Sequence, residues 1–436
     1  MKKLIGLCIG LFCLNSSIWS QPENGVHFLQ VPQASWTNPA LTAPGWQIGL
    51  PSIAGGFIQP SIQLDGSIKK INGQQILDLS TLSLVPGSTG RFQTKISAES
   101  LLLTHRKKRW SWSIGHKIQG MASVQYPQDG LNLLVHGNAP YTGRLIDLSH
   151  HAEGQAWHKI SGGVGYHLPW LDAGIRINRY LGMGYFTTDR GQGSFYTDSL
   201  GYQVQVQTDV IYHLAGLWVN HNPATNTWEG EWRGRSGAGW GGDVGFHLII
   251  NPQWSVAGSW INMGQMFWNK NRQALTLKQD RTIRGVNIIP PFNHGTLESF
   301  DLSDTLYNLN LVTLPANFRS ATPSETYLSI RHHFAQRWMA SVLFAGQTNG
   351  KLKPAVYSAR IGYRQTPGLE TSVSLTYNSW GVWQMGWHGG WSFQGGQLFL
   401  VSDNILPVLN SKPWKGAHFR LGAALNFDKK GSQDTD

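Results

Sequence analysis

The stretch His418-Phe419-Arg420-Leu421-Gly422-Ala423-Ala424-Leu425-Asn426-Phe427 decides the fold. Phe419, Leu421, Ala423, Leu425 and Phe427 alternate with Arg420, Gly422, Ala424 and Asn426. Period two is the spacing of a strand, and it puts every apolar side chain on one face. The same alternation recurs upstream. Trp110, Trp112, Ile114 and Ile118 oppose Ser111, Ser113, Gly115 and Lys117, and Leu171, Ala173, Ile175 and Ile177 oppose Asp172, Gly174, Arg176 and Asn178. Tyr202, Val204 and Val206 oppose Gln203, Gln205 and Gln207. In each case the second face is too polar for a dry core, and in a barrel it lines a wet lumen while the apolar face meets lipid.

Composition points the same way. Of 436 residues only 14% are charged, while glycine numbers 51 and tryptophan 20, against about 25% charge in an ordinary soluble domain. Lys2 and Lys3, the apolar run Leu4 to Leu14 and Ser20 read as an export signal, residues 1–20, cleaved before Gln21. Phe12 stands where a lipid anchor at Cys13 needs a small residue. Cys8 and Cys13 leave with the signal, so the mature chain has no thiol for disulfides, metal sites or nucleophilic catalysis. No later stretch approaches the 18 or so apolar residues of a membrane helix. Lipid then tolerates only a closed barrel.

The net charge is +11, of which the signal holds two, leaving +9. The basic residues are scattered and an exported chain meets no genome, so nucleic acid is not expected and anionic lipid is. Short turns at Arg106–Arg109, Pro169-Trp170, Asn251–Gln253, Ala335–Arg337 and Thr366–Gly368 alternate with long connections around 125–155, 216–236 and 286–322. That asymmetry predicts an all-β fold: a single antiparallel transmembrane β-barrel over 21–427 with short periplasmic turns, long outer loops, about 14 strands (12–16) and a polar tail, 428–436. Trp240, Trp254, Trp260 and Trp268, with Trp380, Trp383, Trp387 and Trp391, read as aromatic girdle positions. Leu297–Leu311 has helical spacing and is a candidate plug, with an irregular outer loop as the alternative.

Several motifs carry a resemblance. The closing strand, ending on Phe427, resembles the signal by which outer-membrane barrels are recognised by their insertion machinery, although a polar tail follows it. Gln33-Ala34-Ser35-Trp36-Thr37-Asn38-Pro39-Ala40, Ile48-Gly49-Leu50-Pro51, Gly143–Ser149, Gly242-Asp243-Val244-Gly245-Phe246, Ile261-Asn262-Met263-Gly264 and Ser402-Asp403-Asn404 stand in an order that resembles a Bacteroidota family of outer-membrane barrels known only as a domain of unknown function, itself distantly like the fatty-acid-transporter barrels. The resemblance implies a fold and a cell outer-membrane location, without an activity.

Catalytic motifs are missing from the linear sequence: no phosphate loop, zinc-type His-Glu-x-x-His or nucleophile elbow. No enzymatic role, cofactor or metal is expected, since the histidines of His150-His151 and of His332-His333 point to opposite strand faces. Parity places Asp172, Arg176, Asp243, His247, His418 and Arg420 inward as lumen-lining candidates. The function read from this is transport or binding of a small hydrophobic solute. The alternative is an accessory barrel holding secretion-system or surface proteins, and the third reading is an outer-membrane enzyme.

Overall fold

Strands with one apolar and one polar face satisfy all their backbone groups in lipid only by closing on themselves. The computed structural model shows that closure. It describes residues 31–61, 68–71, 74–77, 89–200, 203–222, 227–284, 309–313, 317–347, 355–365, 368–405 and 415–427, with His27 and Leu29. The expected export signal, 1–20, the expected polar tail, 428–436, and most of Leu297–Leu311 lie outside these residues.

The first wall strand is broken at Leu50-Pro51 into β1 (Gly45–Gly49) and β2 (Ser52–Ile58). The chain continues as β3 (Thr89–Lys107), β4 (Trp110–Pro127), β5 (His151–His167), β6 (Leu171–Thr197), β7 (Gln203–Ala215), β8 (Gly237–Ile249), β9 (Trp254–Trp268) and β10 (Arg272–Arg284). It ends with β11 (Glu325–His333), β12 (Trp338–Gln347), β13 (Ala355–Gln365), β14 (Leu369–Asn378), β15 (Trp383–Phe393), β16 (Gly396–Asn404) and β17 (Gly416–Asn426). β17 pairs with both halves of the first strand, so the wall is a closed antiparallel barrel of 14 strands. β7 and β10 are not among the 14. They extend β6 above the ends of β8 and β9, through Phe186↔Leu214 and then Leu214↔Gln273.

The predicted faces hold over most of the wall. Ile114, Ile175, Ile177, Phe419 and Leu421 are exposed, while Ser111, Ser113, Lys117, Asp172, Arg176, Asn178 and Arg420 are buried inside. The exposed belt is apolar because a bilayer covers it. Trp240, Trp254, Trp260, Trp383, Trp387 and Trp391 face outward.

Two strand faces and three connections differ from expectation. Trp268 is fully buried. A bulge sets Ile261 and Asn262 against the single Asp243, with Asn262 at φ 58, and one extra residue exchanges the faces of everything beyond it. On β7 the glutamines do not line the lumen: Gln203 and Gln207 are exposed, whereas Val204 is buried with Ile146 and Phe195. That strand stands above the membrane wall, so water takes its polar face. The connection 125–155 holds an α-helix, Gln128–His136. The connection 216–236 is a hairpin, Leu217–Asn222 with Thr227–Trp232. Leu309–Thr313 is a strand, which ends the helical reading of that segment's last residues.

Candidate functional site

The bore is closed by the residues that precede the first strand. A 3-10 helix, Pro32–Trp36, carries every one of its side chains into the interior, where all are buried. Trp36 is at its tip, 0% exposed, with Lys117 Nζ 4.8 Å, Arg176 5.1 Å and Lys159 Nζ 5.6 Å from its ring. Three cations around one indole face place positive charge where the ring quadrupole is negative. The ring reaches the wall because Gly115 has no side chain: a Cβ there would lie 2.8 Å from it.

The charge of these cations is balanced by Asp243, the residue opposite the Asn262 bulge. Its carboxylate accepts from Lys159 Nζ at 2.9 Å, Arg176 at 3.3 Å, Asn178 Nδ2 at 2.6 Å and the Asn262 amide at 2.7 Å. Arg176 in turn donates to the Ser35 carbonyl at 2.9 Å, tying the network to the plug. Further along, Asn38 donates to the Phe246 carbonyl at 3.0 Å and Gln33 to the Ala423 carbonyl at 2.7 Å. His27 bridges Thr37 Oγ1 and Ser329 Oγ, each at 2.9 Å. Burial, with Arg331, His247 and Arg360 nearby, pushes the His27 imidazole down to about 3, so at neutral pH it is an uncharged bridge.

Of the six predicted residues, Asp172, Arg176, Asp243, His418 and Arg420 are buried and His247 is partly buried beside Asp172, and each has an ionic partner in the packed interior. Asp172 takes His167 Nδ1 at 2.6 Å and His247 Nδ1 at 3.2 Å, with Arg106 at 3.6 Å. His418 shares Asp403 with His388, at 3.1 and 3.0 Å. Arg420 is fully buried and donates to Glu99, which also accepts from Ser52 at 2.5 Å. Sequence reasoning quotes Trp36, Lys117 and Asn262 without naming them as site residues, and it passes over Lys159 and Glu99. Lys117 was within reach of parity, since it shares a face with Ser111 and Ser113.

Residues 39–403 match the family described as "Family of unknown function (DUF5723)". The chain belongs to that family. No curated protein matches it. Among solved structures it is similar to a Pseudomonas aeruginosa FadL homologue, at 9% identity and TM-score 0.47 over 95% of this chain and 99% of that one. It is also similar to the Ralstonia pickettii toluene transporter TbuX, at 11% and 0.42 over 95% and 96%, and to the P. putida toluene transporter TodX, at 10% and 0.41 over 95% and 96%. A likeness of this degree says nothing about what this member of the family carries. Its lumen has to be read from its own residues.

The plug leaves space at both ends. A cavity of about 810 Å³ lies by the short turns, lined by Leu29 and Val31 with Arg364 and Glu370, and it opens at its edge toward the outward-facing Trp391. A second, of about 260 Å³, lies toward the long loops between Met121, Tyr185, Arg319 and Gln347.

Proposed function

We propose that the chain is an outer-membrane barrel that passes or binds a small amphipathic solute, with the residues described ahead of the first strand, His27, Leu29 and 31–42, as its removable seal. The seal itself carries this reading. A 14-strand wall encloses more space than its own side chains fill, and here a separate segment, tethered through the first strand, fills it. A purely structural barrel needs no bore, and a simple diffusion pore needs no seal. The plug's backbone hydrogen bonds are local, as in Thr37 to Ala34 and Leu41 to Asn38. It is held to the wall by side chains, so it can leave without breaking the sheet. The mixed lining of the larger cavity, aliphatic Leu29 and Val31 beside Arg364 and Glu370, suits an apolar body with a polar head.

The test is planar-bilayer conductance of the full chain and of a variant lacking residues 27–41, with equilibrium dialysis of decanoate against both. The full chain is expected to conduct in rare bursts and to bind decanoate, and the deletion to conduct continuously. A full chain that neither conducts nor binds, beside a deletion variant that stays closed, overturns the proposal. A reproducible partner complex captured from native membranes with a bore that never opens would favour the accessory role.

A further inference from the structure

The belt that meets lipid holds a polar cluster that the seal does not use. Ser100 is exposed, and its Oγ lies 2.5 Å from His116 Nδ1. His116 Nε2 lies 3.0 Å from His158 Nδ1. Around them stand Ile96, Leu101, Ile114 and Ile160, all exposed. We propose that Ser100, His116 and His158 form a serine hydrolase site on the outer wall, acting on the acyl ester of a membrane lipid.

Four observations carry it. First, the connectivity is that of an activated nucleophile: hydroxyl to imidazole, and the far ring nitrogen to a third group that fixes the tautomer. With His158 Nδ1 accepting from Nε2–H, the Nδ1 lone pair of His116 faces the serine. The His116 carbonyl, the other acceptor near Ser100 Oγ, is farther, at 3.3 Å. Second, Ser100 sits on a bulge. Glu99 pairs with Lys117 and Leu101 with His116, leaving Ser100 without a partner on β4. On its other side the break at Leu50-Pro51 makes the register jump from Gly49↔Leu102 to Ser52↔Glu99. Bulges re-aim side chains and gather beside active sites. Third, the residues exposed around the cluster are Ile96, Leu101, Ile114 and Ile160, so what reaches it from outside the wall is the acyl region of a membrane lipid. Fourth, the cluster differs from two other serine–histidine chains in the molecule. Ser111–His167–Asp172 and Ser372–His388–Asp403 face the lumen, and their serines are only 4% and 3% exposed. Those chains brace the interior, whereas Ser100 is open to lipid.

Polar side chains on a lipid face cost stability, and they are kept where they serve a function. The reaction balances with water as sole co-reactant. Ser100 Oγ bonds to the ester carbonyl carbon as its proton passes to His116 Nδ1. The bond to the glycerol oxygen breaks, and that oxygen takes the proton. Water, deprotonated by the same nitrogen, then cleaves the acyl-serine to a fatty acid and restores the hydroxyl. Ser100 and His116 are the catalytic residues, and His158 is a positioning residue.

The test uses the folded full-length barrel in vesicles of phosphatidylethanolamine and phosphatidylglycerol, reading fatty-acid release and covalent labelling by a fluorophosphonate, with folding checked by heat-modifiable mobility. Wild type is expected to release fatty acid and to be labelled at Ser100. Ser100→Ala and His116→Leu lose about 100-fold or more of the rate, while their resistance to thermal unfolding holds or rises. His158→Leu lowers kcat about tenfold or more at unchanged KM, and His158→Asn, which restores an acceptor, recovers part of it. Folded wild type that neither hydrolyses lipid nor labels above Ser100→Ala overturns the proposal. So does a loss of barrel stability in all three apolar variants without any change in rate, which would make the cluster a brace.

Discussion

Replacing Trp36 by alanine separates the seal from the wall. The indole is fully buried, and truncating a buried aromatic costs about 3–5 kcal/mol. None of that cost falls on the sheet, because Trp36 belongs to a 3-10 helix outside every ladder. The variant therefore keeps its folded, heat-modifiable form while its plug loses about 4 kcal/mol of preference for the seated position. At about 1.4 kcal/mol per tenfold, the unseated fraction rises about 1000-fold. Single-channel recording reads this directly as open probability. Trp36→Phe keeps a ring among Lys117, Lys159 and Arg176 and should shift the opening far less. A Trp36→Ala barrel that is folded and as silent as wild type would refute the idea that this residue holds the bore shut.

Asp243→Asn removes the charge that Lys159 and Arg176 share. Uncompensated buried cations cost about 3–5 kcal/mol, so both the seal and the thermal transition of the barrel should weaken, read by conductance and by gel mobility on heating. The His27 bridge predicts a pH dependence. Its depressed value means that the seated plug takes up no proton near 6.5 while a released one does, so seal stability is full above that pH and falls as pH drops toward about 3. By pH 5 the loss is about 2 kcal/mol, and open probability should climb in wild type but stay flat in His27→Gln. Leu421→Arg puts a charge on the lipid face, at a cost of about 2–4 kcal/mol in folding yield. Ala424→Arg lies on the inner face, where a wet lumen would tolerate it. Ala424 is instead 1% exposed against a filled interior, so its arginine should leave insertion intact and disturb the seal, seen as raised conductance.

How much of the fold and the site was legible depends on the range of the forces involved. Strand faces are local, and the parity of Phe419 to Phe427 or of Leu171 to Asn178 comes from alternation alone. Trp268 shows the limit: one bulged residue at Asn262, unmarked by any glycine, inverts the faces of the rest of its strand. Parity could name Asp172, Arg176, Asp243, His247, His418 and Arg420 as candidates, but it could not name their partners. Arg420 meets Glu99 across 321 residues of chain, and Gln33 meets Ala423 across 390. Gln33–Ala40 has neither strand alternation nor a long helical period, so nothing local says that it enters the barrel. The relay of Ser100, His116 and His158 comes from three strands, which no linear motif could have named.

The plug touches residues from Gly115 round to Ala423, on nearly every side of the barrel, although it is the first described part of the chain. Those contacts do not exist on an open sheet. Seating must therefore wait for β17 to meet the first strand, which makes this a contact pattern of very high sequence separation, with slow, late consolidation. With Cys8 and Cys13 replaced by serine, one cysteine at Thr37 would report the moment by becoming resistant to labelling. Resistance acquired before the wall strands are protected would show that the segment folds first and that the barrel curls around it. If it comes afterwards, every newly made copy passes through an unsealed state, and the cell must tolerate, for that interval, a hole in the barrier it is building.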